Sequence, residues 1–195
     1  MTSRRYRVEW LDGGDLLVAL EPTEAEVRSA AAALAAGYND PHNRVMIDNE
    51  HDYAASDVVE HFATMAADGA RTFLLYRGDE LVGDADFRHV EAGRAEFAIL
   101  VVARSSQGKG LGTRFARMLH ALAFRALGVE RVYVTILPHN VASRRVFEKI
   151  GYREDVSPEA RAYVDDETDL SLSLGREEFE RREGEALRAV SVSAR

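Results

Sequence analysis

The residues best placed to do chemistry form the run Gln107-Gly108-Lys109-Gly110-Leu111-Gly112-Thr113, which follows an apolar stretch and precedes an amphipathic one. The first turn of a helix leaves about four backbone N–H groups unpaired and carries partial positive charge. Glycines remove the side chains that would hold an anion away from those amides. The segment therefore suits a phosphate or diphosphate, and Lys109, Arg104 and Arg114 add local positive charge. A P-loop requires Ser or Thr directly after Gly-Lys, but Gly110 follows Lys109. The dinucleotide-binding fingerprint has its third glycine three places after the second, whereas Gly112 comes two after Gly110. On these residues alone, a glycine-rich turn without a ligand stays open.

Carboxylates form the second group. Glu96 stands at the start of a strand, on one face with Ala98 and Leu100 by alternation. It is a candidate general base, the alternative being a solvated charge at a strand entry. Asp84 and Asp86 share a face of a hairpin strand, where alternating charges ordinarily meet water. A solvated face is the expectation there, with attraction of a cationic substrate as the alternative. His42, His51 and His61 lie among Asp48, Glu50 and Asp52 at spacings that match no ligand motif, so a polar loop and no metal are expected.

The elements that must position these residues follow from periodicity. Leu16 to Leu20 reads as a strand, and Thr23 caps an alanine-rich helix that Gly37 ends. The stretch 38–53 is polar and irregular. A second helix runs from about Asp57 to Asp68, with Asp57 and Glu60 spaced as a capping box. Strands at 72–76 and 80–87 flank Arg77-Gly78-Asp79 as a hairpin, and a third covers 95–102. The helix 110–127 repeats Leu111, Phe115, Met118, Leu119 and Leu122 at helical spacing. A strand at 131–137, a helix from Asn140 to Gly151, a strand from Tyr152 and a last strand at 168–174 complete a domain over residues 1–175. Residues 176–195 read as a charged, helical tail. The expected class is α/β (α+β), a mixed sheet with helices on both faces.

The arrangement Gln-x-x-Gly-x-Gly, after a strand and opening a helix, resembles the acetyl-coenzyme A loop of the GNAT acyltransferase superfamily. The run from Asn140 through Ser143, Phe147 and Gly151 to Tyr152 resembles that family's second signature, an asparagine-capped helix ending in glycine and an aromatic residue. The strong part spans 95–152, and the order of elements extends it loosely over 16–175. The resemblance implies a mostly antiparallel sheet with a V-shaped splay between its central strands, and acetyl-CoA as cosubstrate. It places the coenzyme's diphosphate on the amides from Gly108 through Thr113, with Gln107 at the head of the loop. It places pantetheine along the strand end at Val101 and Val102, with Asn140 and Ser143 beside the arm. Many relatives carry, at the Phe147 position, a tyrosine that protonates the leaving thiolate. The N-x-A-S form resembles the branch of ribosomal-protein N-terminal acetyltransferases, in which serine at the Ser143 position takes that acid role. Glu96 and Ser143 are thus the expected catalytic pair.

Composition bounds the rest. The 195 residues carry 33 acidic and 25 basic side chains, a net charge of −8, and no cysteine. Thiolate nucleophiles, disulfides and thiolate zinc sites are excluded. The acidic balance argues against nucleic acid as a partner and leans toward a cationic acceptor. The longest apolar run, Phe97 to Ala103, is too short for a membrane span, and no signal peptide is visible, so the cytoplasm is the expected compartment. The leading function is acetyl transfer from acetyl-CoA to a primary amine by direct attack, the acceptor being a protein N-terminus or a small amine or antibiotic. The alternatives are a coenzyme A-binding sensor or partner module without turnover and, resting on the glycines alone, a nucleotide-binding oxidoreductase or kinase. A homodimer through the charged tail is left as an expectation.

Overall fold

The computed structural model describes residues 4–164 and 166–195. Among these residues nine strands, numbered in chain order, form one sheet in the order β7-β8-β6-β5-β4-β3-β2-β1-β9. Strands β1 (Tyr6–Asp12) and β2 (Asp15–Leu20) turn at Gly13-Gly14, both at positive φ, as a two-residue hairpin requires. Strands β3 (Arg71–Arg77), β4 (Glu80–Glu91) and β5 (Arg94–Val101) continue the antiparallel meander. Strand β6 (Arg131–Ile136) lies parallel to β5, and β8 (Leu170–Gly175) returns antiparallel to it beside the short β7 (Arg153–Glu154).

The β5–β6 pairing decides the shape of the sheet. Arg94, Ala95 and Glu96 pair with Arg131, Val132 and Tyr133, and the ladder then stops. On its other edge β5 stays paired with β4 through Val101. The two central strands therefore part beyond Glu96, which is the splay that the resemblance implied.

Helices cover both faces. One core packs α4 (Leu111–Ala126), α5 (Val141–Ile150) and, beyond the one-turn α6 (Pro158–Arg161), α7 (Arg176–Glu183) over Phe87, Ala95, Phe97 and Val132. The other packs α1 (Glu24–Tyr38) and α3 (Ala55–Ala67) over Leu74, Leu100 and Val102. Among the described residues, no helix is long and apolar enough to cross a membrane.

Several elements differ from their sequence reading, for local reasons. Helix α1 runs past Gly37 to Tyr38; an ideal Cβ on Gly37 would stand 2.3 Å from Val102 Cβ, so glycine serves close packing there. Helix α3 begins at Ala55, and Asp57 accepts from the Ala54 N–H (2.8 Å) as its third residue. The polar stretch after α1 contains a short helix, α2 (Pro41–Met46), capped by Asp40. Strand β1, whose charged residues mask its alternation, was not legible. After 175 the chain forms α7 and then β9 (Ser191–Ala194), which pairs with β1 at the sheet edge. The segment read as a helical tail thus closes the sheet, because Phe179, Leu187 and Val190 are buried between its charges.

His120 of α4 is fully buried, its ring nitrogens bonded to Ala116 O (2.6 Å) and Tyr152 Oη (2.5 Å). Burial pushes its pKa down to about 4, so the fold holds a neutral imidazole. An unfolded histidine titrates near ~6.5, so between that pH and about 4 the unfolded chain binds the extra proton and this stability is lost as pH falls. We expect the stability difference between the wild type and His120→Phe, measured by urea unfolding, to shrink by about 2 kcal/mol from pH 7 to pH 5. Comparing the two chains at each pH cancels the titration of other groups. A difference independent of pH would refute the assignment.

Candidate active site

The loop before α4 is built as an anion cradle. Gly108 and Gly110 adopt φ of +72° and +78°, a region open to glycine, and an added Cβ on either would meet nothing within 4 Å. The first helical bond runs from Arg114 N–H to Gly110 O (3.1 Å). Among the described residues, no backbone or side-chain acceptor takes the amides of Gly108, Lys109, Gly110, Leu111, Gly112 or Thr113. Five of these six residues, all but Lys109, line a cavity of about 320 Å³ between this loop, α5 and the end of β5. An added Cβ on Gly112 would lie 3.5 Å from Val146 of α5, so any larger side chain there narrows the gap. Bare amides beside a cleft fit the diphosphate of coenzyme A.

The β5 edge is equally prepared. Val102 N–H donates to Val82 O (2.9 Å), which makes Gly83↔Val101 a non-hydrogen-bonded pair. By alternation the N–H and C=O of Ile99 and Val101 point away from β4, into the splay. Val101 C=O is already taken by Gln107 Nε2 (2.7 Å), which also donates to Asn43 Oδ1 (2.7 Å). Gln107 is therefore a brace that ties the loop to β5 and α2. Val102 takes a place different from the one expected. Its N–H is used by Val82, its C=O accepts from Asn43 Nδ2 (3.1 Å), and its side chain is buried in the α1–α3 core.

Asn43, which the sequence reading missed, is 1% exposed and also donates to Gly37 O (2.8 Å). It locks α2 over the cleft. From the far wall, Asn140 Nδ2 donates to Met46 O (2.9 Å) while Asn140 Oδ1 caps α5 by accepting from Ser143 N–H (3.0 Å). Helix α2 thereby bridges the two diverging strands.

The positive charge at the loop comes from residues other than those expected. Arg114 turns away to Asp12 (2.7 Å) and Asp15 (2.7 Å) of the first hairpin, and Arg104 bonds to Gln107. Lys109 is exposed outside the cavity lining. Arg145 and Lys149 of α5 line the cavity instead. Their signal was present: Ala142, Arg145, Val146 and Lys149 recur at helical spacing on one face.

On the other side of the splay lies a larger cavity of about 750 Å³. The two cavities meet at Met46, Ile99, Asn140, Ser143 and Phe147. Ser143 thus stands at the junction, and Phe147, 3% exposed, packs edge-on against Phe97 and Tyr152. Glu96, 8% exposed, lies at the apex where β5 and β6 part, 3.8 Å from Arg88 Nε and 3.9 Å from His89 Nε2. Among the described residues, the charged lining of this cavity is Asp48, Glu96, Asp166 and Asp169 against Arg88. The loop side is cationic and the far side anionic.

Asp84 and Asp86 correct the solvated reading. Both face the α1–α3 side of β4, where helices cover them. Burial, reinforced by Asp86, pushes the Asp84 carboxyl up to about 7 against the pull of the Tyr38 hydrogen bond (2.9 Å). Burial also raises Asp86, opposed by Arg88 at 2.8 Å.

A splayed mixed sheet with bare helix-start amides on one side of the opening defines an acyl-coenzyme A binding fold. Comparison with known proteins agrees. A profile of the acetyltransferase (GNAT) domain matches residues 18–153, and the chain belongs to that family. The probable N-acetyltransferase YjcK of Bacillus subtilis (strain 168) is 28% identical over 79 residues, 40% of this chain and 44% of that protein. The match thus spans less than half of the relative. The structure of aminoglycoside acetyltransferase AAC(6')-Ib in complex with coenzyme A superimposes with a TM-score of 0.69 at 21% identity, covering 85% of this chain and 98% of that one. RimL, a ribosomal L7/L12 alpha-N-protein acetyltransferase in complex with coenzyme A, gives 0.67 at 17% identity, covering 82% and 93%. At these identities the two structures share the fold.

Removing Asn43 takes a donor from the Val102 and Gly37 carbonyls and an acceptor from Gln107 Nε2 at a buried site. Asn43→Ala should lower stability by about 3 kcal/mol, read from the urea midpoint at unchanged slope. A loss within about 0.5 kcal/mol would show that α2 is held by other contacts.

Proposed function

We propose that this chain is an acetyl-CoA-dependent N-acetyltransferase that acts on a cationic amine by direct attack, without an acyl-enzyme. The observation that carries the reading is the row of six unpaired amides at the mouth of the splay. When bound, acetyl-CoA supplies the acetyl group as an activated thioester. The amides from Gly108 to Thr113 hold its diphosphate, with Arg145 and Lys149 as the flanking cations. The cleft-facing N–H and C=O of Ile99 and the N–H of Val101 pair with its pantetheine amides, the Val101 C=O being held by Gln107. Asn140 fixes the start of α5 and so the position of Ser143.

Ser143 Oγ makes no hydrogen bond to the described residues, and its place at the junction lets it give a proton to the departing thiolate. Phe147 supplies only apolar packing there. Glu96 lies three residues down β5 from Ile99, about 10 Å at strand spacing, so it draws the amine's proton through water. The acidic lining favours an ammonium acceptor before it loses that proton. The acceptor classes remain a small amine and a protein N-terminus. A coenzyme A-binding module without turnover is the second reading, which Phe147 in the tyrosine position favours.

Three measurements test this. Calorimetry should show coenzyme A binding that Gly112→Val weakens at least about tenfold, since the valine fills the gap beside Val146. Absence of binding in the wild type would sink the assignment. Ser143→Ala should lower kcat by about tenfold or more with coenzyme A affinity within about twofold; unchanged turnover removes Ser143 from the mechanism. Glu96→Gln should lower kcat by about a hundredfold. Thiol release no faster with a panel of amines than without them would favour the module.

A further inference from the structure

A recess of about 280 Å³ opens off the acceptor cavity on the α1–α3 side of the sheet. The two share Ile47, Arg88, Ala98 and Ile99, so an elongated ligand can pass from one into the other. Asp84 and Asp86 form the floor of the recess, opposite Leu100 and Ala98 in the β4–β5 register. Tyr38 and Tyr53 form a wall, edge to face with ring centroids 5.5 Å apart.

The hydrogen-bond inventory of this floor is incomplete. Asp84 Oδ2 accepts from Tyr38 Oη (2.9 Å), but Asp84 Oδ1 is fully buried and has no partner among the described residues. Arg88 bonds to Asp86 at 2.8 Å and lies 3.8 Å from Glu96, and among the described residues no cation is paired with Asp84. A buried carboxylate oxygen without a donor is costly, and a donor arriving from outside removes the cost. Aromatic walls beside a carboxylate select an ammonium over an anion or a neutral group.

Building on the reading of the cleft as an amine-acceptor site, we propose that this recess is a second-ammonium subsite. The acceptor then carries at least two cationic nitrogens, one presented at Ser143 and the other donating to Asp84 Oδ1. Asp84 stands opposite Leu100, beside the residue at which the cavities join, and one strand over, about 4.8 Å away. A diamine, a polyamine or a diamino sugar carries two ammonium groups in this way. A peptide N-terminus offers one ammonium followed by neutral backbone N–H groups, which leaves the Asp84 carboxylate without a cation. The raised carboxyl of Asp84 is consistent with a group that ionises fully only when a cation enters.

The test is calorimetric and does not depend on turnover. Coenzyme A-loaded protein is titrated with spermidine, 2-deoxystreptamine, n-butylamine and an unmodified tetrapeptide. We expect spermidine or 2-deoxystreptamine to bind at least about tenfold more tightly than n-butylamine and the tetrapeptide. Asp84→Asn should erase that preference while leaving coenzyme A affinity within about twofold. Asp86→Asn, and the ligand ranking on the wild type, keep the test decisive if Asp84→Asn fails to fold. Equal affinity for n-butylamine or for the peptide, or a dication preference that survives Asp84→Asn, overturns the proposal. Coenzyme A that does not bind at all is instead the failure of the acetyltransferase reading, and the ranking is then read on the free protein.

Discussion

The structure depends on the early end of one ladder. Strands β5 and β6 share three paired residues and then separate, while β5 stays pinned to β4 along its whole other edge. An unpaired strand edge inside a sheet costs hydrogen bonds unless something else supplies them. Here the open edge lines the proposed ligand cleft, and α2, held by Asn43 and Asn140, spans the gap.

The cleft then sorts charge along its length. Bare amides with Arg145 and Lys149 lie at one end, four carboxylates with Arg88 at the other, and Ser143 where they join. On the function proposed above, that gradient would orient an anionic donor and a cationic acceptor toward one another from opposite mouths. A chain of net charge −8 can thus keep one end of the cleft cationic: four carboxylates line the far cavity, and Asp12 and Asp15 pair with Arg114.

Much of this was legible. The glycine spacing, the Asn140 cap and the strand–loop–helix order follow from local rules, and the comparisons agree with the family those motifs resembled. What escaped notice was non-local. Asn43 sits in a stretch without periodicity and matters only because Val102, Gly37 and Gln107 converge on it from elsewhere in the chain. Strand β1 was hidden by its charges, and β9 by a tail whose composition reads as solvent-facing.

The sequence by itself determined which backbone amides would be bare, since glycine and helix-start chemistry act within a few residues. It could not determine what fills the space around them. Asp84 and Asp86 alternate like a wetted strand face, and only the packing of α1 and α3 over β4 turned that face inward. Arg114 and Arg145 are alike as residues, yet one is consumed by a hairpin about a hundred positions away and the other is left to the cleft. Burial and partnership depend on which distant surfaces meet, and that is decided by the tertiary fold.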